Sequence, residues 1–227
     1  YQRRKSSVVA NFGGHEVPRV IADLSQLENI SPASLYACGY QYVVDADKWN
    51  ISDQACDYIF TGDKLTDFDI PGTLGVIVNH KSWDESRIRN YPLYSFNEFN
   101  SSAKKSKTLN FVSLSIDSLF GNEANEIKNF PATTVLVFET GNEHGMAEQR
   151  RMFIELNRCK ISLPVIIRRT YTSENIDDVS LFASTDNGAL FLDGFGDGIW
   201  ISAPSITARK QINSTAFGIL QASRTRI

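Results

Sequence analysis

The residues best suited to hold an anion lie near the C-terminal end, in the stretch 188–202, Gly-Ala-Leu-Phe-Leu-Asp-Gly-Phe-Gly-Asp-Gly-Ile-Trp-Ile-Ser. Glycines accept positive φ and leave backbone N–H groups uncovered. Successive uncovered N–H groups form a concavity that can cradle a phosphate. The candidate residues are Gly194, Gly196, Asp197 and Gly198. Apolar runs at 189–192 and 199–201 flank the loop, so the spacing predicts strand, tight turn, strand. That order excludes a dinucleotide fingerprint, which needs a helix after the glycines with its N-terminus on the pyrophosphate. No Gly-Lys-Ser/Thr follows, so the loop is not a Walker loop, and the alternating oxygen ligands and terminal Glu of an EF-hand are missing. Two readings stand: an anion nest of the kind barrel enzymes place near their last strands, and a purely structural turn.

Other side chains with chemical potential are scattered. His15, His80 and His144 are isolated, and none has a second His, Cys or Glu at metal-ligand spacing, so no metal site is predicted. His80 follows a predicted strand at 74–78, which places it at the strand end where barrels carry their active groups. Asp117, Glu139, Arg168 and Arg169 follow their own strands in the same way. The two arginines could hold an anionic substrate there, although such loops are polar whether or not they act. Cys38, Cys56 and Cys159 are widely spaced and make no Cys-x-x-Cys pair. They read as small apolar packing residues in a reducing compartment. Cys38 has no evident base partner, and no Gly-x-Ser-x-Gly elbow exists, so a nucleophilic hydrolase has no support. No catalytic residue is assigned.

The elements that must position these groups alternate between strand and helix. Residues 8–12 read as a short extended segment. The apolar spacing of Val17, Val20, Ile21 and Leu24 predicts an amphipathic helix over 17–24 with Pro18 in its first turn. Strands are expected at 35–38, 58–60, 74–78, 93–96, 111–116, 133–138, 163–167, 189–192 and 199–201. Helices are expected at 143–158, 175–182 and 206–223, and a loop or irregular helix in the polar stretch 97–110. This alternation predicts an α/β fold with a parallel sheet. At 227 residues the economical form is a single-domain, TIM-like (β/α)8 barrel over 1–227, irregular or degenerate in places. An open doubly wound sheet is the alternative. The formal net charge of -3 gives no reason to expect nucleic acid or an anionic membrane as partner. No apolar run approaches membrane length, and no apolar segment follows the basic first residues as a signal peptide would need. The ends read as those of a piece of a longer polypeptide.

The stretch 188–202, together with Asn-Ser-Thr-Ala-Phe-Gly-Ile-Leu-Gln-Ala-Ser-Arg-Thr-Arg at 213–226, resembles the 4-hydroxy-3-methylbut-2-enyl diphosphate synthase family. Tyr1-Gln2-Arg3-Arg4 resembles the start of the inserted middle domain in the family's long, three-domain form. Arg150-Arg151-Met152-Phe153 and Leu163-Pro164-Val165-Ile166 fit the same insert. The resemblance implies an oxidoreductase of the methylerythritol phosphate route to isoprenoids and terpenoids. Its first domain is a catalytic barrel that binds the cyclic diphosphate, and its last carries a 4Fe–4S cluster. The insert is a second, degenerate barrel. Ferredoxin or flavodoxin supplies electrons, in the cytoplasm of bacteria or the plastid stroma of plants. Cys38, Cys56 and Cys159 do not match the cluster motif, so no cofactor is expected in this domain. The catalytic barrel's loop has Ser/Thr and then Arg where this chain has Gly198 and Trp200. A hydroxyl and a guanidinium suited to a diphosphate are thus lost. The expected role is a non-catalytic interdomain module contacting the other domains of the same polypeptide, the alternative being an anion-binding regulatory barrel built on the 194–198 loop. Anaerobic reconstitution of the isolated chain with iron and sulfide is expected to give no brown cluster chromophore; a stable chromophore would contradict this assignment.

Overall fold

A computed structural model describes residues 3–226; Tyr1, Gln2 and Ile227 lie outside the described residues, and with them half of the Tyr-Gln-Arg-Arg resemblance. Ten strands run in chain order: β1 (Arg19–Asp23), β2 (Tyr40–Val43), β3 (Lys48–Ile51), β4 (Tyr58–Phe60), β5 (Gly75–Asn79), β6 (Asn90–Ser95), β7 (Asn110–Leu114), β8 (Thr134–Phe138), β9 (Val165–Thr170) and β10 (Gly198–Ser202). Eight of them close into an all-parallel barrel, with β1 bonded to β10 on one side and to β4 on the other. β2 and β3 form a separate antiparallel hairpin. The barrel fold expected from the alternation is therefore present.

The helical layer is uneven. The last three connections carry α2 (Gly121–Lys128), α3 (Gly145–Arg158) and α4 (Ile176–Leu192), and α5 (Arg209–Ala222) follows β10. Earlier, a 3-10 turn (Pro32–Cys38) and the β2–β3 hairpin replace the first helix, and another 3-10 turn (His80–Ser82) precedes β6. The six-residue α1 (Phe96–Ser101) begins the polar stretch expected to be irregular.

Four expectations are corrected. Residues 17–24 hold strand β1, not a helix. Its Val20 and Ala22 face the helical layer and Ile21 the barrel interior, so a strand buried on both faces shows no alternation in sequence. Residues 35–38 end a 3-10 turn rather than forming a strand. Residues 8–12 make only the isolated bridge Val9–Phe12. The predicted strand at 189–192 is the last turn of α4. Gly194, at φ 82, ends that helix: its N–H donates to Phe191 O and the N–H of Phe195 to Leu190 O, the paired bonds of a Schellman stop.

Register fixes which side chains fill the barrel. Ile21 pairs with Trp200 and Tyr58, Phe111 with Leu93 and Val135, and all six are buried in the interior cluster. Gly75 leaves room for the Tyr58 ring, which a Cβ would meet at 2.4 Å. The N-terminal arm closes the barrel floor. Phe12 is fully buried, 5.1 Å from the Tyr58 ring and 5.7 Å from Phe111 between centroids. Asp197, at the N-terminal end of β10, ties the arm down. Its Oδ1 accepts from Ser6 Oγ at 2.8 Å and Arg3 Nη2 at 3.1 Å, and its Oδ2 accepts from the Val165 N–H at 2.9 Å. Arg4 Nη1 lies 3.8 Å from the same Oδ2, and Arg4 also donates to Leu163 O and Ile161 O. Burial lowers the pKa of the Arg4 guanidinium and Asp197 opposes that shift.

Asp197→Asn should lower unfolding free energy by about 3 kcal/mol, since it strips the counter-charge from a buried arginine; Arg3→Ala, at the more exposed partner, should cost about 1 kcal/mol or less. Urea titrations of both variants check the order. Burial raises the Tyr40 hydroxyl to about 12 and, with Tyr91 nearby, pushes Tyr58 up as well. The folded state thus holds these protons more tightly than the unfolded chain, whose tyrosines titrate near ~10. Stability should be intact below about pH 10 and fall as the pH rises toward about 12, which chemical denaturation across that range would measure.

Candidate functional site

In barrels the C-terminal ends of the strands carry the chemistry and the N-terminal ends the stability. The Gly194–Asp197 turn joins α4 to the start of β10 and therefore lies at the N-terminal end. The N–H groups of Gly194, Phe195 and Asp197 already donate to Phe191, Leu190 and Val165 carbonyls. A Cβ on Gly196 would meet Ile167 Cδ1 at 2.7 Å, and one on Gly198 would meet Ile166 Cγ1 at 3.0 Å. Packing therefore accounts for these glycines, and the loop's acid engages a basic arm. The turn places Gly194, Gly196, Asp197 and Gly198 together, with three of its N–H donors and its charge occupied from inside the molecule.

The C-terminal mouth holds a continuous polar belt. Arg168 on β9 donates from Nη1 to Glu139 Oε1 at 2.6 Å, and its Nη2 lies 3.7 Å from Asp23 Oδ2. The guanidinium carbon stands 3.9 Å above the centre of the Trp200 ring and 5.3 Å from that of Phe60. Ser113 donates its hydroxyl to the other oxygen of Glu139. Asp23 accepts from Trp200 Nε1 at 3.2 Å and from Ser202 Oγ, and its Oδ1 accepts from Ser25 N at 3.0 Å. The belt thus runs from β7 through β8, β9 and β10 to β1. Two carboxylates face one guanidinium, so the mouth has no surplus positive charge for an anion. The small cavity bounded by Asp23, Ser202 and Arg209 measures about 20 Å³, roughly room for a water.

Arg169, the neighbouring outward residue, is also engaged. Its Nε donates to Asp186 Oδ2 at 3.0 Å and its Nη1 to Thr140 O and Asn142 O, each at 3.1 Å. Gly145 opens α3 against it: a Cβ there would lie 2.1 Å from the guanidinium carbon. A wide cleft of about 780 Å³ opens above, lined by Asn142, His144, Tyr171, Phe182 and Thr185, with Arg169 and Asp186 in its lining. Burial, then Asp186, pushes the Tyr171 hydroxyl up.

Of the residues singled out in the sequence, Glu139 and Arg168 meet at the mouth. His80 does not join them: it stacks on Tyr94 at 4.8 Å with Nδ1 3.5 Å from Glu98. Asp117 is exposed on a 3-10 turn (Ile116–Leu119) after β7. His15 and His144 are exposed. Asp23 falls within the helix expected over 17–24 and ends β1 instead; the alternation of Arg19, Ile21 and Asp23 is its signal in the sequence. The cysteines do not fit an iron–sulfur site: Cys38 and Cys56 are buried together between the 3-10 turn and β4, and Cys159 follows α3. Among the described residues no group of three or more His, Cys, Asp or Glu side chains is placed to hold a metal ion, and no helix is long and apolar enough to cross a membrane.

Replacing Arg168 by Met keeps most of the packing over Trp200 but leaves Asp23 and Glu139 without their cation. The variant should lose about 1–2 kcal/mol, a modest figure because Glu139 is partly in water. Adding Glu139→Gln should restore part of that loss, a coupling that a double-mutant cycle measures.

No protein-family model matches the chain. Among curated proteins it is similar to 4-hydroxy-3-methylbut-2-en-1-yl diphosphate synthase (flavodoxin) of Parabacteroides distasonis, 28% identical over 225 residues, covering 99% of this chain and 33% of the relative. A synthase of the same name from Porphyromonas gingivalis is 38% identical over 94 residues, 41% of this chain and 16% of the relative. The chloroplastic, ferredoxin-named synthase of Arabidopsis thaliana is 32% identical over 117 residues, 48% of this chain and 16% of the relative. The chain spans about a third of the length of the relatives it matches end to end. Over nearly its whole length it is similar to a domain-sized third of proteins named 4-hydroxy-3-methylbut-2-en-1-yl diphosphate synthase.

Proposed function

We propose that the chain is the inserted, non-catalytic barrel of a 4-hydroxy-3-methylbut-2-en-1-yl diphosphate synthase, a module that sets the distance and angle between the domains that do the chemistry. The observation that carries this reading is the closed circuit at the barrel mouth. Arg168, the cation best placed to receive a diphosphate, is clasped by Glu139 and Asp23 and stacked on Trp200. Extracting it would break a charge-assisted bond and a cation–π contact before any substrate contact formed.

The floor of the barrel supports the interdomain part of the proposal. Arg3 and Arg4 are anchored at Asp197, and Arg226 donates to Asp57 Oδ2 at 2.6 Å and to Pro18 O at 3.0 Å. Arg19 Nη1 donates to the same Asp57 at 3.1 Å. Both flanks of the module are thus held at the N-terminal ends of the strands. An insert whose two connections leave from one face can be accommodated without threading the host domain. In the whole enzyme we place the reductive opening of 2-C-methyl-D-erythritol 2,4-cyclodiphosphate, the 4Fe–4S cluster and the docking of flavodoxin or ferredoxin on other domains. The compartment follows the host: bacterial cytoplasm or plastid stroma.

The test is steady-state kinetics of the full-length synthase carrying Arg168→Met. Both kcat and KM should stay within about twofold of the parent, per folded enzyme. A loss of about a hundredfold or more in kcat/KM, roughly 2.7 kcal/mol of transition-state stabilisation, would place the mouth in the catalytic machinery and overturn the reading.

A further inference from the structure

We propose that Cys38 and Cys56 are a modification site: a thiol pair that closes into an intrachain disulfide and clamps the β2–β3 hairpin to the barrel. The two residues are fixed next to each other by the backbone. Cys38 ends the Pro32–Cys38 turn, and Gly39, at φ 88, swings the chain into β2. The Cys56 N–H donates to Cys38 O at 2.9 Å, and the Ser52 N–H to Gly39 O at 2.9 Å. Tyr40 Oη then donates to Cys56 O at 2.8 Å. A direct N–H to carbonyl bond sets the two residues side by side, the placement a disulfide needs, since it spans Cα separations of about 4.4–6.8 Å. Both side chains are fully buried, and Asn213 Nδ2 of α5 lies 4.0 Å from Cys38 Sγ. Cys159 lies elsewhere, after α3.

The pair rests reduced. The hydrogen bond that the Cys56 S–H donates to Cys38, then burial, pushes the Cys56 thiol well up, so Cys56 holds little thiolate in the closed state. Reaction therefore requires opening of the segment 39–55. That segment carries the hairpin, whose Val44 and Ile51 are exposed and whose two strands have no third partner. With a low-molecular-weight disulfide as oxidant the step balances. One cysteine thiolate attacks the oxidant's S–S bond and releases a first thiol, leaving a mixed disulfide. The second cysteine displaces the remaining half and forms the Cys38–Cys56 bond. The two cysteine protons end on the two released thiols.

Full-length protein would be incubated with oxidised glutathione in two arms, native in low urea and refolding from high urea. Samples are then acid-quenched, alkylated, digested without reduction and mapped by mass spectrometry. The expected result is one linked peptide pair joining Cys38 to Cys56, two hydrogens lighter than its parts, with Cys159 alkylated. Closing a loop of this length should also raise Tm by roughly 5–10 °C, an increase that dithiothreitol reverses and Cys56→Ala abolishes. Recovery of Cys38 and Cys56 as alkylated thiols or glutathione adducts in both arms, or a link from either to Cys159, would overturn the proposal.

Discussion

A single buried carboxylate organises the floor of this barrel. Asp197 accepts from a side chain of the arm at Ser6, from the Arg3 guanidinium and from the backbone of β9, and it stands next to the buried Arg4. A charge in that position is stable only while its partners stay in place. The partners belong to distant parts of the sequence, so the carboxylate makes the arm, β9 and β10 interdependent. Once the arm is held, Phe12 fills the space beneath Tyr58 and Phe111, and the interior is sealed from below.

The top of the barrel follows the same logic with different residues. Arg168 rests on Trp200 and is shared between Glu139 and Asp23, which are in turn held by Ser113 and Ser202. Enzymes leave such a cation free to meet an incoming negative charge. Here the compensating charges come from Glu139, just past β8, and from Asp23 on β1. The belt stabilises the closure between β10 and β1, the place where a barrel must join its first strand to its last. Electrostatics at both ends thus serve the architecture.

Much of this was legible in the sequence and some was not, for physical reasons. The strands at 58–60, 74–78, 111–116 and 133–138 declared themselves because their apolar runs are bounded by Gly, Pro and Asp. The helix at 143–158 did so through its one-sided apolar stripe. β1 was obscured because both of its faces are covered, and Val17, Val20, Ile21 and Leu24 happen to fall at helical spacing. The run at 189–192 looked like a strand because it is short and apolar beside a glycine loop. Val179, Ala183, Asn187 and Leu190 continue the buried stripe of α4, and Gly194 is its stop. The glycine loop admits both an anion nest and a structural turn in sequence, because glycine serves either. Gly198 and Trp200 depart from the side chains an anion site would carry. What the sequence did not reveal is that a guanidinium does stand over Trp200, contributed by β9 and already paired.

The most direct measurement is isothermal titration of the 227-residue chain with 2-C-methyl-D-erythritol 2,4-cyclodiphosphate, with inorganic pyrophosphate in parallel. A barrel whose cations are paired internally gives only heats of dilution with either ligand, up to millimolar concentration. Saturable one-site binding that disappears in Arg168→Met would show that the mouth opens to receive a diphosphate, and the scaffold reading would be wrong.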